Sequence, residues 1–193
     1  MTASDLTLHH LLDRQLALPP ETRHQLTSHL PMALHALHSM GADGARLQAF
    51  YDGCVGRFET LRAPPPAAPV ARWQALRGTA GAFGALQASF AAALARDGED
   101  AVLRRVLPDL LPGVAAAAFH GIIRTAHAVE AGHRGELAAA LAYWAWRWQP
   151  LAPPPAGTAM PFDDWAAALV SAARGWRSEG PLISLRMDAA TSS

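Results

Sequence analysis

The sequence contains one cysteine, Cys54, and neither lysine nor asparagine. A lone cysteine excludes an internal disulfide and any cysteine-rich zinc or iron–sulfur site. Because all sixteen basic residues are arginine, a Schiff-base lysine and a phosphate-loop lysine are excluded as well. Together with the abundant alanine, proline and glycine, these absences are typical of codon bias in a GC-rich genome, so we expect a bacterial protein.

Long apolar runs and an excess of charge are also absent. No apolar run approaches the roughly 20 residues of a membrane-spanning helix. The N-terminus, "MTASDLTLHH", has neither a basic start nor an apolar signal core. The formal net charge is zero and no basic stripe is present. We therefore expect a cytoplasmic protein that binds neither membranes nor nucleic acid.

Strand signals are scarce, whereas helical periodicity recurs. The chain has three isoleucines, two tyrosines and no alternating β-branched run. The sequence predicts an all-α fold, a single irregular bundle of about eight helices with no sheet. Its expected organisation is one helical domain over residues 1–149. A proline-rich linker and C-terminal helices with a partly frayed tail are expected over residues 150–193.

Leucine and aromatic spacing, caps and breakers locate the predicted helices. Ser28 and Asp43 are the expected N-caps of the second and third helices, and Pro108 is expected to interrupt the fifth. The predicted helical segments are 6–18, 28–41, 43–61, 82–98, 99–113, 114–131, 135–149 and 162–176. A further proline-rich linker is expected over residues 62–70.

The nine histidines are the main candidates for metal binding or catalysis. Six of them lie in two sequence clusters: the first contains His29, His35 and His38, and the second contains His120, His127 and His133. Seven residues separate His120 from His127, roughly 10 Å along a helix axis, whereas an imidazole–metal bond is about 2 Å. These two are not expected to reach one ion. The i, i+3 pairs His127–Glu130 and His35–His38 have a spacing suited to chelation. A metal site that uses His120 must recruit ligands from another helix.

Each histidine also has a structural interpretation. Exposed helical histidines without function are expected at His9, His10, His24, His35 and His38, and a solvated turn at His133. For His127, a core-edge residue bonded to a carbonyl or to Glu130 and a functional residue remain equal alternatives. The alanines before His120 let a neighbouring backbone approach, so its ring is expected to be buried with a specific partner, which is either structural or functional.

Familiar catalytic motifs are missing. The chain has no G-x-G-x-x-G after a strand, no G-x-S-x-G, no P-loop and no H-E-x-x-H. Cys54, on an apolar helix face, is expected to be a core residue. The tryptophans at 144, 146 and 148 are expected to pack between helices or subunits, with an aromatic substrate wall as the second interpretation.

Two segments resemble one protein family. "SHLPMALHALHSMGADGARLQAFYDG" (28–53) resembles the N-H-hydrophobic…L-G-A…Y-D block of questin oxidase-like proteins. "LLPGVAAAAFHGIIRTAHAVEAG" (110–132) is similar to their F-H-G-x-I-R…E-A block. With the spacing between the blocks and the "LAAALAYWA" that follows, the likeness covers roughly residues 6–149.

The resemblance implies an α-helical oxidoreductase that oxygenates or cleaves anthraquinone and related aromatic polyketides. It implies a histidine-ligated non-haem Fe(II), with NADPH as reductant. Matched residue by residue, His29 and His120 are the implied metal ligands. Arg124 and Glu130 are the implied substrate-positioning groups beside them. His127 stands where a tyrosine is more usual, so it is either an added metal ligand or sequence drift.

The chain departs from the family pattern at Ser28, where asparagine is common, and in length. Family members continue into a second helical half, so this chain is expected to be a short or truncated member. A third iron ligand is then expected from Glu130, from His127 or from a second subunit. The alternative function is a non-catalytic helical half-domain that forms a homodimer or pairs with a separately encoded C-terminal half. A third hypothesis is a binding protein for an apolar aromatic molecule.

Overall fold

Helices make up the fold of this protein, whose computed structural model describes residues 2–22, 26–56, 65, 67–150 and 160–175. Eight α-helices occur in these ranges, α1 (Ala3–Gln15), α2 (Leu30–Ser39), α3 (Gly44–Val55), α4 (Phe83–Asp97), α5 (Glu99–Leu110), α6 (His120–Glu130), α7 (Arg134–Trp146) and α8 (Phe162–Ala173). Short 3-10 helices cover Trp73–Leu76 and Leu111–Gly113. The described residues contain no strand, only an isolated bridge between Glu21 and Thr27. The all-α prediction is confirmed.

The chain divides into two compact units. Met1–Pro150 holds α1 to α7, and Leu151–Ser193 holds α8, where the rings of Phe162 and Trp165 lie 5.6 Å apart. The expectations for His24, most of both proline-rich linkers, the end of the third predicted helix and the C-terminal tail concern residues outside the described ranges.

Helix α7 is the centre of the first unit. Every residue from Glu136 to Ala145 is buried, as expected of a helix that is apolar on all sides. Its alanines allow close approach, and α7 packs against both α4 and α6. The main core contains Phe83, Leu86, Phe90, Leu94, Val102, Val106, Leu110, Leu137, Leu141, Tyr143 and Trp144. Trp144 therefore packs between helices, one of the roles predicted for it.

A second core joins the first three helices. Its buried members are Leu8, Leu11, Leu12, Leu30, Leu34, Leu47 and Tyr51. Cys54 is partly buried against this cluster, in agreement with the predicted core role. Helix α2 also contacts α6, so the segments that carry the two histidine clusters lie side by side.

Two helix starts differ from the predictions for reasons of capping. Helix α1 begins at Ala3, earlier than predicted, because Thr2 and Asp5 form a reciprocal capping box. Ser28 is not a cap; His29 takes the N-cap position of α2 and makes no side-chain capping bond. Asp43 does cap α3, and its carboxylate accepts the Arg46 N–H at 2.8 Å.

Helix α5 continues through Pro108 as far as Leu110, so the predicted interruption is wrong. Proline removes one helical N–H and crowds the preceding turn. The helix persists because Val102, Val106 and Leu110 bury one continuous face in the main core. Among the described residues, none of the helices has the length and apolar character needed to cross a bilayer.

Candidate active site

His29 and His120 meet between α2 and α6. Their Nε2 atoms are 2.8 Å apart, and the rings lie edge to face with centroids separated by 4.7 Å. His29 precedes the first residue of α2, and His120 is the first residue of α6. Two residues that are 91 positions apart in sequence thus form one pair of facing imidazoles.

A strained turn presents His120. Residues 117–119 have positive φ angles of 49°, 54° and 67°, and left-handed backbone costs a non-glycine residue roughly 1–2 kcal/mol. The predicted helix over 114–131 is therefore wrong in its first third, because α6 begins only at His120. The turn points the Ala117 carbonyl at His120 Nδ1, 2.7 Å away. Strain of this kind is often found at functional sites.

The second nitrogen of the His120 ring bonds the backbone. His120 Nδ1 donates to the Ala117 carbonyl. In a neutral ring this tautomer leaves a lone pair on His120 Nε2, the atom that faces His29. His120 Nε2 can therefore accept a hydrogen bond from His29 Nε2 or bind a cation.

The pair is open to solvent, and two apolar residues near His120 in the sequence are also exposed. His29 is exposed and His120 is half-buried, so the predicted full burial of the His120 ring is wrong. The pKa of His29 is lowered, first by partial burial and then by the charge of a protonated His120. Phe119 and Ile123, on either side of His120, remain 45% and 43% exposed. A small aromatic molecule could therefore reach the pair and find apolar contacts.

A second imidazole pair lies one to two turns further along the same two helices. His35 Nδ1 and His127 Nδ1 are 2.8 Å apart. Ser39 donates its hydroxyl to the His35 carbonyl and lies 3.3 Å from His35 Nε2. One consistent proton arrangement follows, in which His35 donates to Ser39 and His127 donates to His35. This neutral pair is satisfied without an ion, which favours the structural interpretation of His127.

The chelating pairs suggested by i, i+3 spacing do not form. His35 turns to His127, and His38 Nε2 instead contacts Asp5 at 2.9 Å. Glu130 is exposed and interacts with His35 only through its charge. Its position does not bring it to His29 or His120.

Arg124 lies in the interior. It is 2% exposed, and its Nε and Nη2 bind the two carboxylate oxygens of Glu136 at 2.5 and 3.0 Å. Gln15 also donates to this carboxylate. Arg124 Nη1 has no hydrogen-bond partner, and the guanidinium carbon lies 5.9 Å from the Tyr143 ring centroid. This position favours a role in joining α6 to α7 over direct contact with a substrate.

His133 is also interior, so its predicted solvated turn is wrong. It is 7% exposed and caps α7 by accepting the Glu136 N–H at Nδ1, 3.0 Å away. Its Nε2 lies 3.2 Å from an Asp13 carboxylate oxygen. His9, also expected to be exposed, is half-buried and bonds the Ala131 carbonyl through Nε2 at 2.9 Å.

Metal binding has only two well-placed candidate ligands here. Across the described ranges, no group of three or more His, Cys, Asp or Glu side chains is arranged to hold an ion. His29 and His120 could supply two imidazole nitrogens, and the His120 ring is oriented by a backbone carbonyl, as is typical of metal-binding histidines.

Comparison with protein families identifies the family to which this chain belongs. A questin oxidase-like family model matches residues 26–176, well over half of the chain. The protein belongs to the questin oxidase-like family. No curated protein and no solved structure is significantly similar to the chain.

The questin oxidase-like match begins just before the His29 segment and includes all helices from α2 to α8. It extends further toward the C-terminus than the resemblance seen in the sequence, which ended near residue 149, and it leaves out α1. Both histidine pairs lie inside the matched region. The family description names an oxidase, which sets the reaction class to be considered.

Two functional candidates were missed from the sequence. Tyr143 contacts the loop that carries His29, and Glu136 pairs with Arg124. Glu136 is the only acidic residue in the apolar segment "GELAAALAYWAWRW". A lone carboxylate in a helix predicted to be buried indicates a buried ion pair, and this signal could have found it.

The protein is expected to lose stability in mild acid. Burial is the largest cause that lowers the pKa of His29, His35 and His133. A neighbouring protonated histidine lowers each pKa further, whereas Glu130 raises the pKa of His35 and Asp13 raises that of His133. The unfolded chain then binds more protons below the ordinary histidine pKa near 6.5, so stability is retained above that pH and falls as pH decreases toward the folded-state pKa values.

Urea unfolding at pH 7.5 and pH 5 measures this change, with His35→Gln as the variant that removes one contributor. The expected result is a lower unfolding free energy at pH 5 and a smaller pH effect in His35→Gln. Equal stability of the wild-type protein at both pH values would contradict the expectation.

Proposed function

We propose that this questin oxidase-like protein is an oxidoreductase whose reactive centre is the His29–His120 pair, and that its substrate is an apolar aromatic molecule of the polyketide type. The observation that carries the proposal is the pair of facing Nε2 atoms at 2.8 Å, with His120 Nδ1 engaged by the Ala117 carbonyl. This arrangement directs the two Nε2 atoms at one small volume that is open to solvent.

The two imidazoles fit part of a non-haem iron site. Imidazole is a suitable ligand for Fe(II), and such sites commonly use two histidines and one carboxylate with open positions. His29 and His120 would supply the two nitrogens. We propose that the third ligand comes from outside the described residues or from a second subunit, since Glu130 and His127 lie with the other histidine pair. When bound, Fe(II) would supply activation of dioxygen.

The surrounding residues would orient the substrate and hold the pair in place. The exposed faces of Phe119 and Ile123 offer apolar contact to an aromatic ring. Arg124 would act indirectly, because its ion pair with Glu136 fixes α6 on α7. As a monooxygenase, the enzyme would consume one dioxygen, one reductant such as NADPH and one proton for each oxygen atom inserted and each water released.

Metal analysis of protein purified without oxygen tests this proposal. The wild-type protein is expected to hold about one iron per site, and His29→Ala and His120→Ala are each expected to lose most of it because one imidazole alone binds weakly. His10→Ala, an exposed histidine of α1, is the matched control and should retain the metal. We expect His127→Gln to retain it too, since the His35–His127 pair is satisfied by itself.

Iron retained equally by His29→Ala and His120→Ala would refute the assignment of ligands. Iron lost from His127→Gln would return that residue to the ligand set. Oxygen uptake with hydroxyanthraquinones, measured in the same variants, then separates an oxygenase from a protein that only binds the ring.

The second candidate is a non-catalytic helical half-domain that pairs with itself or with a separate partner. It is favoured by the absence of a third metal ligand among the described residues. Sub-stoichiometric iron, manganese and zinc in the anaerobically purified wild-type protein would support this candidate over the enzyme.

A further inference from the structure

The loop before α2 is joined to the central helix α7 by side-chain hydrogen bonds from Tyr143 and Arg147. Tyr143, on α7, has its hydroxyl 2.7 Å from Thr27 Oγ1 and 3.0 Å from Glu21 Oε1. Arg147, one turn further along, donates Nε to Glu21 Oε1 at 2.6 Å and also binds Oε2 of that carboxylate. His29 is two residues after Thr27 in the sequence.

The hydrogen bonds in this network have a defined direction. The Glu21 carboxylate is held by Arg147 and can only accept, so Tyr143 donates to it. Burial, followed by the nearby Glu21 charge, raises the pKa of Tyr143 well above its ordinary value, so the phenol keeps its proton. Tyr143 therefore accepts from the Thr27 hydroxyl. The order is Thr27 to Tyr143 to Glu21.

Backbone contacts make the position of Thr27 decisive for His29. The N–H of Thr22 donates to the Leu26 carbonyl at 2.8 Å, and the N–H of Ser28 donates to the Pro20 carbonyl at 2.9 Å. These bonds close the loop, and Thr27 is buried within it. His29 is two residues after Thr27, and its Nε2 lies 2.8 Å from His120 Nε2. Holding the Thr27 side chain thus fixes the backbone from which His29 reaches His120.

Trp144, the next residue of α7, contacts the segment that carries His120, the other member of the pair. Trp144 packs directly on Gly121, where an added Cβ would lie 2.7 Å from Trp144 Cγ. Its indole N–H donates to the Gly113 carbonyl at 2.9 Å, at the start of the turn that presents His120. Two consecutive residues of one buried helix therefore contact the two separate segments that carry His29 and His120.

We propose that Tyr143 is a positioning residue for the histidine pair: through Thr27 it holds the segment that carries His29, so that His29 Nε2 is directed at His120. Its role deepens the proposed function, because the same ring is the reactive group there. The hydroxyl acts through Thr27 and Glu21 and does not touch a substrate. Glu21, held by Arg147, accepts from the Tyr143 hydroxyl, so the Tyr143 oxygen is available to accept from Thr27.

Nitrogen-15 NMR of the histidine rings in metal-free protein tests this role. Tyr143→Phe keeps the ring and removes the hydroxyl. The two ring-nitrogen shifts of His29 are well separated when the ring has one fixed tautomer, and we expect them to move toward each other in this variant. The His35 and His127 signals should stay in place, because their pair has no contact with this network.

Tyr51→Phe is the matched control, since Tyr51 is the other buried tyrosine and lies in the second core. It should leave the His29 shifts unchanged. Thr27→Val removes the same hydrogen bond from the loop side and leaves α7 intact, so it should reproduce the His29 change even if Tyr143→Phe folds poorly.

Unchanged ring-nitrogen shifts of His29 in folded Tyr143→Phe or Thr27→Val would overturn the proposal. Equal movement of the His35 and His127 signals would also overturn it, because it would show a general loosening of the bundle. Failure of the proposed oxidase function would appear instead as absent iron and absent oxygen uptake, with the NMR result still readable.

Discussion

Glu136→Ala is expected to lower the free energy of unfolding by about 3–5 kcal/mol, the usual cost of removing one partner from a buried ion pair. Arg124 and Glu136 are each 2% exposed and joined by two hydrogen bonds. Without the carboxylate, the Arg124 guanidinium stays buried with the Tyr143 ring nearby as its weak remaining partner. Gln15 loses its acceptor as well.

Urea unfolding followed by circular dichroism measures this cost. Asp100→Ala is the matched control, because Asp100 forms an exposed i, i+4 pair with Arg104 at 3.9 Å, and such pairs contribute about 0.3–0.5 kcal/mol. The double variant Arg124→Met with Glu136→Leu removes both charges and should cost much less than Glu136→Ala. A Glu136→Ala cost as small as that of Asp100→Ala would show that the guanidinium reaches solvent.

Gly121→Ala is expected to destabilise the protein by about 1–3 kcal/mol, the range for overpacking a well-filled interior. The added Cβ would lie 2.7 Å from Trp144 Cγ, 2.9 Å from its Cβ and 3.0 Å from its Cα. Rotation of the tryptophan cannot relieve the contact with Cα, so α6 must move away from α7. Because His120 immediately precedes Gly121, the same movement should separate His120 from His29 and weaken the proposed iron binding.

Gly53→Ala makes the same chemical change where there is room. Gly53 lies in α3, and no atom of another part of the protein stands within 4 Å of the position that an alanine methyl would take there. Alanine should therefore stabilise the helix by about 0.5–1 kcal/mol. Thermal unfolding of both variants gives the comparison. Gly121→Ala with a stability equal to or above wild type would mean that α6 and α7 are less closely packed than their contacts indicate.

Much of the fold followed from local pattern. The leucines of α1 and the aromatic stripe of α4 have helical spacing, and both helices occur close to their predicted positions. Capping by Asp43 was predicted because its side-chain chemistry is local. The turn before His120 was not predicted, since an alanine run favours a helix. In the structure, residues 117–119 form a left-handed turn that local propensity disfavours, and Gly121, just after this turn, packs against Trp144.

The candidate site was predictable in its members but not in its partnerships. Position-by-position likeness to the family selected His29 and His120, and the structure brings these two rings together. Spacing within one helix suggested His35 with His38 and His127 with Glu130, whereas the observed partners of His35 and His38 are His127 and Asp5. Helical spacing describes neighbours on one element and carries no information about the element that packs against it.

The amino-acid sequence by itself determined that this chain is all-α and that its histidines are the groups to consider, because periodicity, composition and family likeness are properties of the chain alone. Only the tertiary structure decided which imidazoles face each other, that Arg124 and His133 are interior, and that Tyr143 reaches the His29 loop. Those outcomes depend on how α2, α6 and α7 pack, because packing brings segments that are distant in the sequence within hydrogen-bond distance. Burial and the choice of partner arise only at that stage.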